Sequence, residues 1–126
     1  MKVIIAGSRS IDSLDHIEKA VVRSKFIVDE IVSGTARGAD RYGEIYARLH
    51  DIYLTRMPAN WNLHGKSAGY KRNVEMAEYA DAVIVIWDGV SKGSKHMMNI
   101  AEARSMPLYV YNINDLIQHK AAMKGM

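Results

Sequence analysis

The sequence predicts one α/β domain over residues 1–126, a three-layer α/β/α arrangement around a five-stranded, mainly parallel sheet. Two observations carry this. Five short apolar runs alternate with five helical patterns, without a linker, a low-complexity tract or an internal repeat. Such alternation builds a parallel sheet covered by helices on both faces, joined by right-handed crossovers. The fourth run, Ala82-Val83-Ile84-Val85-Ile86-Trp87, is apolar on both of its faces, as a central parallel strand must be.

In chain order, residues 2–6 read as the first strand, which ends in Gly7-Ser8-Arg9. Asp12 or Ser13 caps a helix whose apolar face is Leu14, Ile17 and Val21. Residues 30–33 form the second strand and lead into a helix over about 40–50, with Tyr42, Ile45, Tyr46 and Leu49 as its pattern. Residues 52–57 are the third strand, stopped by Pro58. A polar loop over 59–66 follows, then a helix over about 67–80. After the fourth strand, Asp88-Gly89 turns the chain into a helix over 94–104. Residues 108–111 are the fifth strand, and Asn114 or Asp115 opens a last helix that frays by Gly125.

Composition narrows the function. The chain is 48% hydrophobic and 25% charged, and its length suffices for one core burying roughly two-thirds of the unfolded surface. No apolar stretch nears the roughly 20 residues of a membrane span, so no membrane partner is expected. The absence of cysteine excludes a disulfide framework and a thiolate zinc site. The first strand leaves no room for a signal peptide, and a soluble cytoplasmic protein is expected. No metal, no cofactor and no hydrolase nucleophile elbow are expected, and the absence of G-x-G-x-x-G disfavours a standard NAD dehydrogenase. The formal net charge of +3 is too mild to indicate nucleic acid by itself.

Ligands of open α/β sheets sit beyond the carboxyl ends of the strands, where the strand order reverses. The strand exits are therefore decisive, and the second is the richest. In Ser33-Gly34-Thr35-Ala36-Arg37-Gly38-Ala39-Asp40 two glycines stand four apart between a strand and a helix. They let the backbone approach a ligand, the helix N-terminus favours negative charge, and Arg37 can fork onto phosphate. The turn reads as a phosphate seat, in which Arg37→Ala is expected to weaken binding at least tenfold. Asp40 can cap the helix, orient Arg37 or accept a ribose hydroxyl.

The other exits are weaker alone. Gly7-Ser8-Arg9 is either an ordinary turn or a clamp with Arg9 as counter-ion. Gly65-Lys66-Ser67 resembles the end of a P-loop, but Asn60 stands where the first glycine belongs, which excludes a Walker nucleotidase. Lys66 can still hold a phosphate, and Trp61 either stacks on a base or is an interfacial aromatic. Arg72 either reaches the ligand or belongs to a solvated cationic face. Asp88-Gly89 and Ser91-Lys92-Gly93-Ser94 form a second glycine-rich exit with the same logic. His96 serves acid–base chemistry or is simply solvated, and the methionines are packing. Seven cations follow the exits, at Arg9, Arg37, Lys66, Lys71, Arg72, Lys92 and Lys95, and are expected to converge on one rim. The acidic residues, Glu44 among them, mostly fall inside helices.

Taken together with Ala59-Asn60-Trp61, Arg72-Asn73 and Trp87-Asp88-Gly89, these motifs resemble the SLOG superfamily, and within it the small YspA-related family, over about residues 3–110. The resemblance implies a Rossmann-like fold. It also implies a nucleotide or nucleotide-derived ligand, ADP-ribose-like or a nucleoside monophosphate, bound by a sensor or hydrolysed at its N-glycosidic bond. On that reading Gly7, Ser8, Gly34, Gly38, Gly93 and Ser94 line the phosphate path. Arg9, Arg37, Lys66 and Arg72 supply charge, and Trp61 or Trp87 lies near the base. Thr35, Asn60, Asn73, Gly89 and Ser91 complete the ligand-binding set. The LOG branch ends its pattern in P-G-G-x-G-T-x-x-E, with a catalytic glutamate, and here Met97 stands in that place. A hydrolase would need another carboxylate beside its oxocarbenium-like transition state, from Asp12, Asp40 or Asp88, and Asp40 and Asp88 are the catalytic candidates. The DprA branch, which shares S-G-x-A-x-G-x-D, binds single-stranded DNA. That alternative needs a basic groove with stacking aromatics. Related folds often form homodimers or higher homo-oligomers.

Overall fold

The structure is a computed structural model that describes residues 1–114; the expected last helix, beyond Asn114, lies outside them. The strands are β1 (Lys2–Gly7), β2 (Glu30–Ser33), β3 (Tyr53–Arg56), β4 (Ala82–Trp87) and β5 (Leu108–Asn112). They form one sheet in the order β3-β2-β1-β4-β5, with every neighbouring pair parallel. Chain order runs outward from β1 through β2 to β3, then restarts on its other side with β4. The reversal therefore falls between β1 and β4, the place where such sheets bind ligands.

Strand alternation distributes the core. Val3, Ile5, Ile31, Ile84 and Ile86 point to one face of the sheet. There they bury Ile17 and Ala20 of α1 (Leu14–Ser24) and Ala39 and Ala47 of α2 (Ala39–Leu49). Ile4, Val32, Val83 and Val85 point to the other face. They bury Met76 and Ala77 of α4 (Ala68–Tyr79) and Met97, Met98 and Ala101 of α5 (Lys92–Ala103). A period of two in the strands thus yields the three layers. Ser13 caps α1, its hydroxyl accepting from the Asp15 amide at 3.2 Å.

Boundaries moved where caps decide them. The expected polar loop contains a short helix, α3 (Trp61–His64), then a 3-10 turn, Gly65–Ser67, running into α4. Asn60 starts α3 by accepting the Leu63 amide at 3.0 Å. Ser91 caps α5, so that helix begins at Lys92 and not at Ser94. Among the described residues no helix is long and apolar enough to cross a membrane.

Candidate functional site

A cleft of about 420 Å³ opens at the β1/β4 reversal. The β1 exit contributes Gly7, Arg9 and Ser10, and the β4 exit contributes Asp88, Ser91, Gly93 and Ser94. Asp40 of α2, Arg72 and Asn73 of α4, and Met97 of α5 close its sides. β1 alone separates the exits of β2 and β4 in the sheet.

The 33–40 turn builds its part of this cleft differently from the phosphate seat expected of it. Three of its amides are committed within the protein: Thr35 to the Ser33 hydroxyl (3.0 Å), Ala36 to Asp40 Oδ2 (3.1 Å) and Ala39 to the Ser8 carbonyl (3.1 Å). Into the central cleft the turn sends Ala36 and the Asp40 side chain. An Arg72 Nη1 donates to the Gly34 carbonyl. A Cβ on Gly34 would lie 2.8 Å from that nitrogen and 2.9 Å from Asp40 Oδ2, so the missing side chain is the room the guanidinium occupies. Gly38, at φ 74°, lets the turn pass so close to the Ser8 carbonyl that any Cβ would overlap it.

Asp40 is only 5% exposed. Burial pushes its pKa up to about 6, against the pull of the Ala36 amide and of the Arg72 and Arg9 charges. It therefore lies close to neutrality, where a carboxyl can both hold and release a proton. Arg72 is half-buried, and burial lowers its pKa while Asp40 opposes that shift. Its Nε donates to Asn73 Oδ1 at 3.1 Å, and Asn73 Nδ2 lies 3.1 Å from His96 Nδ1. The His96 ring meets Tyr70 edge-on at 4.4 Å, and burial lowers its pKa.

Asp88 is a brace. Its Oδ1 accepts the amides of Val90 and Ser91, both at 2.9 Å, and its Oδ2 accepts the Ser10 hydroxyl at 3.2 Å. Its own amide donates to Ser8 Oγ at 2.9 Å, joining the β1 and β4 exits. Partial burial pushes its pKa up, but the Val90, Ser91, Ser8 and Ser10 hydrogen bonds outweigh this and hold it below the usual carboxylate value. Ser94 is buried against the Ser91 hydroxyl at 3.0 Å. A Cβ on Gly93 would meet nothing within 4 Å, so this residue faces open space in the cleft.

A flanking cavity of about 390 Å³ shares Arg9, Ala36 and Arg72 with the cleft and so continues it. Gly34, Thr35, Arg37 and Trp61 border this outer part, and Trp61 is 53% exposed. Asn60 lines a further recess of about 370 Å³ that shares Pro58, Ala59 and Trp61 with this outer part. The expected rim of seven cations resolves into three, Arg9, Arg37 and Arg72. Lys66 and Lys92 are exposed and border none of these cavities, Lys71 Nζ contacts His64 Nδ1 at 3.2 Å, and Lys95 lies over Trp87. Trp87 does not line the cleft; its Nε1 donates to the carbonyl of Ser91, which does, at 3.1 Å, and its ring packs on the α4/α5 side of the sheet. Gly89, at φ 90°, serves the turn that Asp88 braces and borders neither cavity.

Two features escaped the sequence reading. Glu44 is a buried residue at the same sheet end, accepting the Ser33 hydroxyl at 2.6 Å and Arg56 Nε at 3.2 Å. Its spacing of four from Asp40 was the available signal, since both then lie on one face of α2. The letters G-x-S-x-G also stand at Gly65-Lys66-Ser67-Ala68-Gly69, which the expectation of no nucleophile elbow passed over. They span the 3-10 turn Gly65–Ser67 and the first two residues of α4, and Ser67 Oγ donates to the His64 carbonyl at 2.9 Å, so the strand-to-helix setting of an elbow is absent.

Comparison with known proteins gives two results. The model of the YspA, cpYpsA-related SLOG family matches residues 1–64. The Gene 61 protein of Mycobacterium phage D29 is 36% identical over 124 residues, covering 90% of this chain and 97% of that protein. No solved structure matches the chain.

Proposed function

Because the chain belongs to the YspA, cpYpsA-related SLOG family, a membership that carries a nucleotide-related function in general, we propose that the cleft and its outer extension bind one nucleotide-derived ligand. The ligand is ADP-ribose-like or a nucleoside monophosphate. One observation carries the reading: Arg9 and Arg72, together with the buried Asp40, border a cleft at the strand-order reversal. Arg72 and Arg9 are suited to a phosphate, Asp40 to a ribose hydroxyl, and exposed Trp61 at the outer end to a base. The tenfold effect expected of Arg37 moves to Arg72, because Arg37 is exposed and outside the central cleft.

Calorimetry with ADP-ribose and AMP tests this. Arg72→Ala is expected to weaken binding at least tenfold, about 1.4 kcal/mol. Equal affinity in wild type and variant removes the site from this cleft. A ten-nucleotide single-stranded DNA bound in place of both small molecules, with steep salt dependence, favours the DprA-like alternative.

Asp40 supports a second reading, hydrolysis of the N-glycosidic bond. An ionised carboxylate bordering the cleft, which Met97 also lines, can stabilise an oxocarbenium-like ribose while water adds at C1′, the base leaves with the C1′–N electron pair, and the proton that water gives up passes to the departing base. Chromatography of AMP incubations is expected to show free adenine with wild type and none with Asp40→Asn. Wild type releasing no base leaves a binding protein.

A further inference from the structure

On the far side of the 35–37 turn, four arginines border a cavity of about 310 Å³ that meets the outer part of the nucleotide site at Thr35, Ala36 and Arg37 but includes neither Arg9 nor Arg72. Arg37, Arg41 and Arg48 follow spacings of four and seven along α2 and its lead-in, and Arg56 ends β3. The carboxylate among them is Glu44, whose side chain is 8% exposed and anchored by the Ser33 hydroxyl. It holds Arg56 Nε at 3.2 Å and Arg48 Nη2 at 3.9 Å. Arg37 and Arg41 have no hydrogen bond or ion pair among the described residues. Four guanidiniums against one carboxylate leave three positive charges, equal to the formal net charge of the whole chain.

We propose that this cavity is a second anion site, distinct from the nucleotide cleft, for a short chain of phosphates such as a pyrophosphate or triphosphate group. Guanidinium forks match phosphate oxygens in pairs. Several of them around one cavity suit a ligand carrying several adjacent charges, where one phosphate would leave forks unfilled. The one large apolar lining residue is Ile45, and no aromatic ring borders the cavity. Base recognition by stacking therefore has no partner here, and charge is what the site reads. The buried Glu44 orients Arg56 through the 3.2 Å contact, so part of the cluster is set before an anion arrives.

Sodium tripolyphosphate is the probe, titrated calorimetrically into the full chain at two salt concentrations. Wild type is expected to bind it at one site. The double variant Arg41→Ala/Arg48→Ala, at two exposed positions where the only ion pair lost among the described residues is the 3.9 Å contact to Glu44, is expected to lose at least tenfold in affinity with a nearly unchanged melting temperature. Arg72→Ala is expected to keep that affinity. The inference is overturned if tripolyphosphate binding follows Arg72 instead, if the double variant binds as wild type does, or if no binding is found. Tighter binding of a ten-nucleotide single-stranded DNA that is lost in the double variant overturns the polyphosphate assignment in favour of nucleic acid. The nucleotide reading stands or falls separately, on AMP and ADP-ribose with Arg72→Ala.

Discussion

Asp40 and Glu44 stand one helical turn apart on α2, both buried, on either side of the turn that leaves β2. Glu44 is gripped by donors: a serine hydroxyl at 2.6 Å and an arginine at 3.2 Å. Asp40 receives one amide at 3.1 Å, and its arginine is occupied with the Gly34 carbonyl. The same buried chemistry thus has two outcomes. A fully partnered carboxylate organises other side chains, whereas an under-partnered one keeps its proton to a higher pH and faces a cleft. A carboxylate that fold stability alone required would have been given its donors, as Glu44 was.

Asp40→Asn should break the contrast most. A carboxyl raised from 3.8 to about 6 binds its proton more tightly when folded, so wild-type stability falls as pH rises through that window. Asparagine does not titrate. The stability of the variant relative to wild type should climb by up to about 3 kcal/mol between pH 4 and pH 7, read by urea unfolding; a flat difference would mean Asp40 is not desolvated. Glu44→Ala should instead destabilise by about 2 kcal/mol at every pH near neutrality, because the buried Ser33 hydroxyl loses its acceptor. Glu44→Gln should recover most of that, and a loss below about 0.5 kcal/mol for alanine would deny Glu44 its organising role.

Gly93→Leu separates the cavities rather than the carboxylates. The added side chain enters open space, so stability should hold or rise, while AMP affinity falls at least tenfold, about 1.4 kcal/mol. Tripolyphosphate binding should be untouched, and loss of both by calorimetry would merge the two sites. Arg37→Ala has the smallest expected effect, about twofold or 0.4 kcal/mol on AMP. A tenfold drop would return the phosphate to the 34–38 turn.

The fold was legible because apolar runs and their alternation encode it directly: each strand lies within two residues of its expected bounds. Much of the cleft was legible for the same reason, since strand exits converge once the sheet is parallel, and Arg9, Asp40 and Gly93 border it. The assignment of hydrogen bonds is not legible in this way. Glycines after a strand suggest free amides, yet whether a neighbouring hydroxyl or carboxylate has taken them is a three-dimensional fact, as Thr35 and Ala36 show. Arg72 reaches Gly34 across 38 residues, and no local pattern distinguishes it from the solvated Lys71 beside it. Asn60 and Ser91 cap helices and also border cavities, and the letters alone do not separate the two roles, because the residues that cap helices are also those that bind ligands.

Arg72 is tied at two points, by Nε to Asn73 and by Nη1 to the Gly34 carbonyl, and Asn73 is tied in turn to His96 on α5. Its Nη2 has no partner among the described residues. A cation moored in this way has a bearing as well as a charge. An incoming anion meets one fixed edge of the guanidinium, and every ligand that docks there must arrive along the same line. A lysine could supply the charge at that position but not the direction.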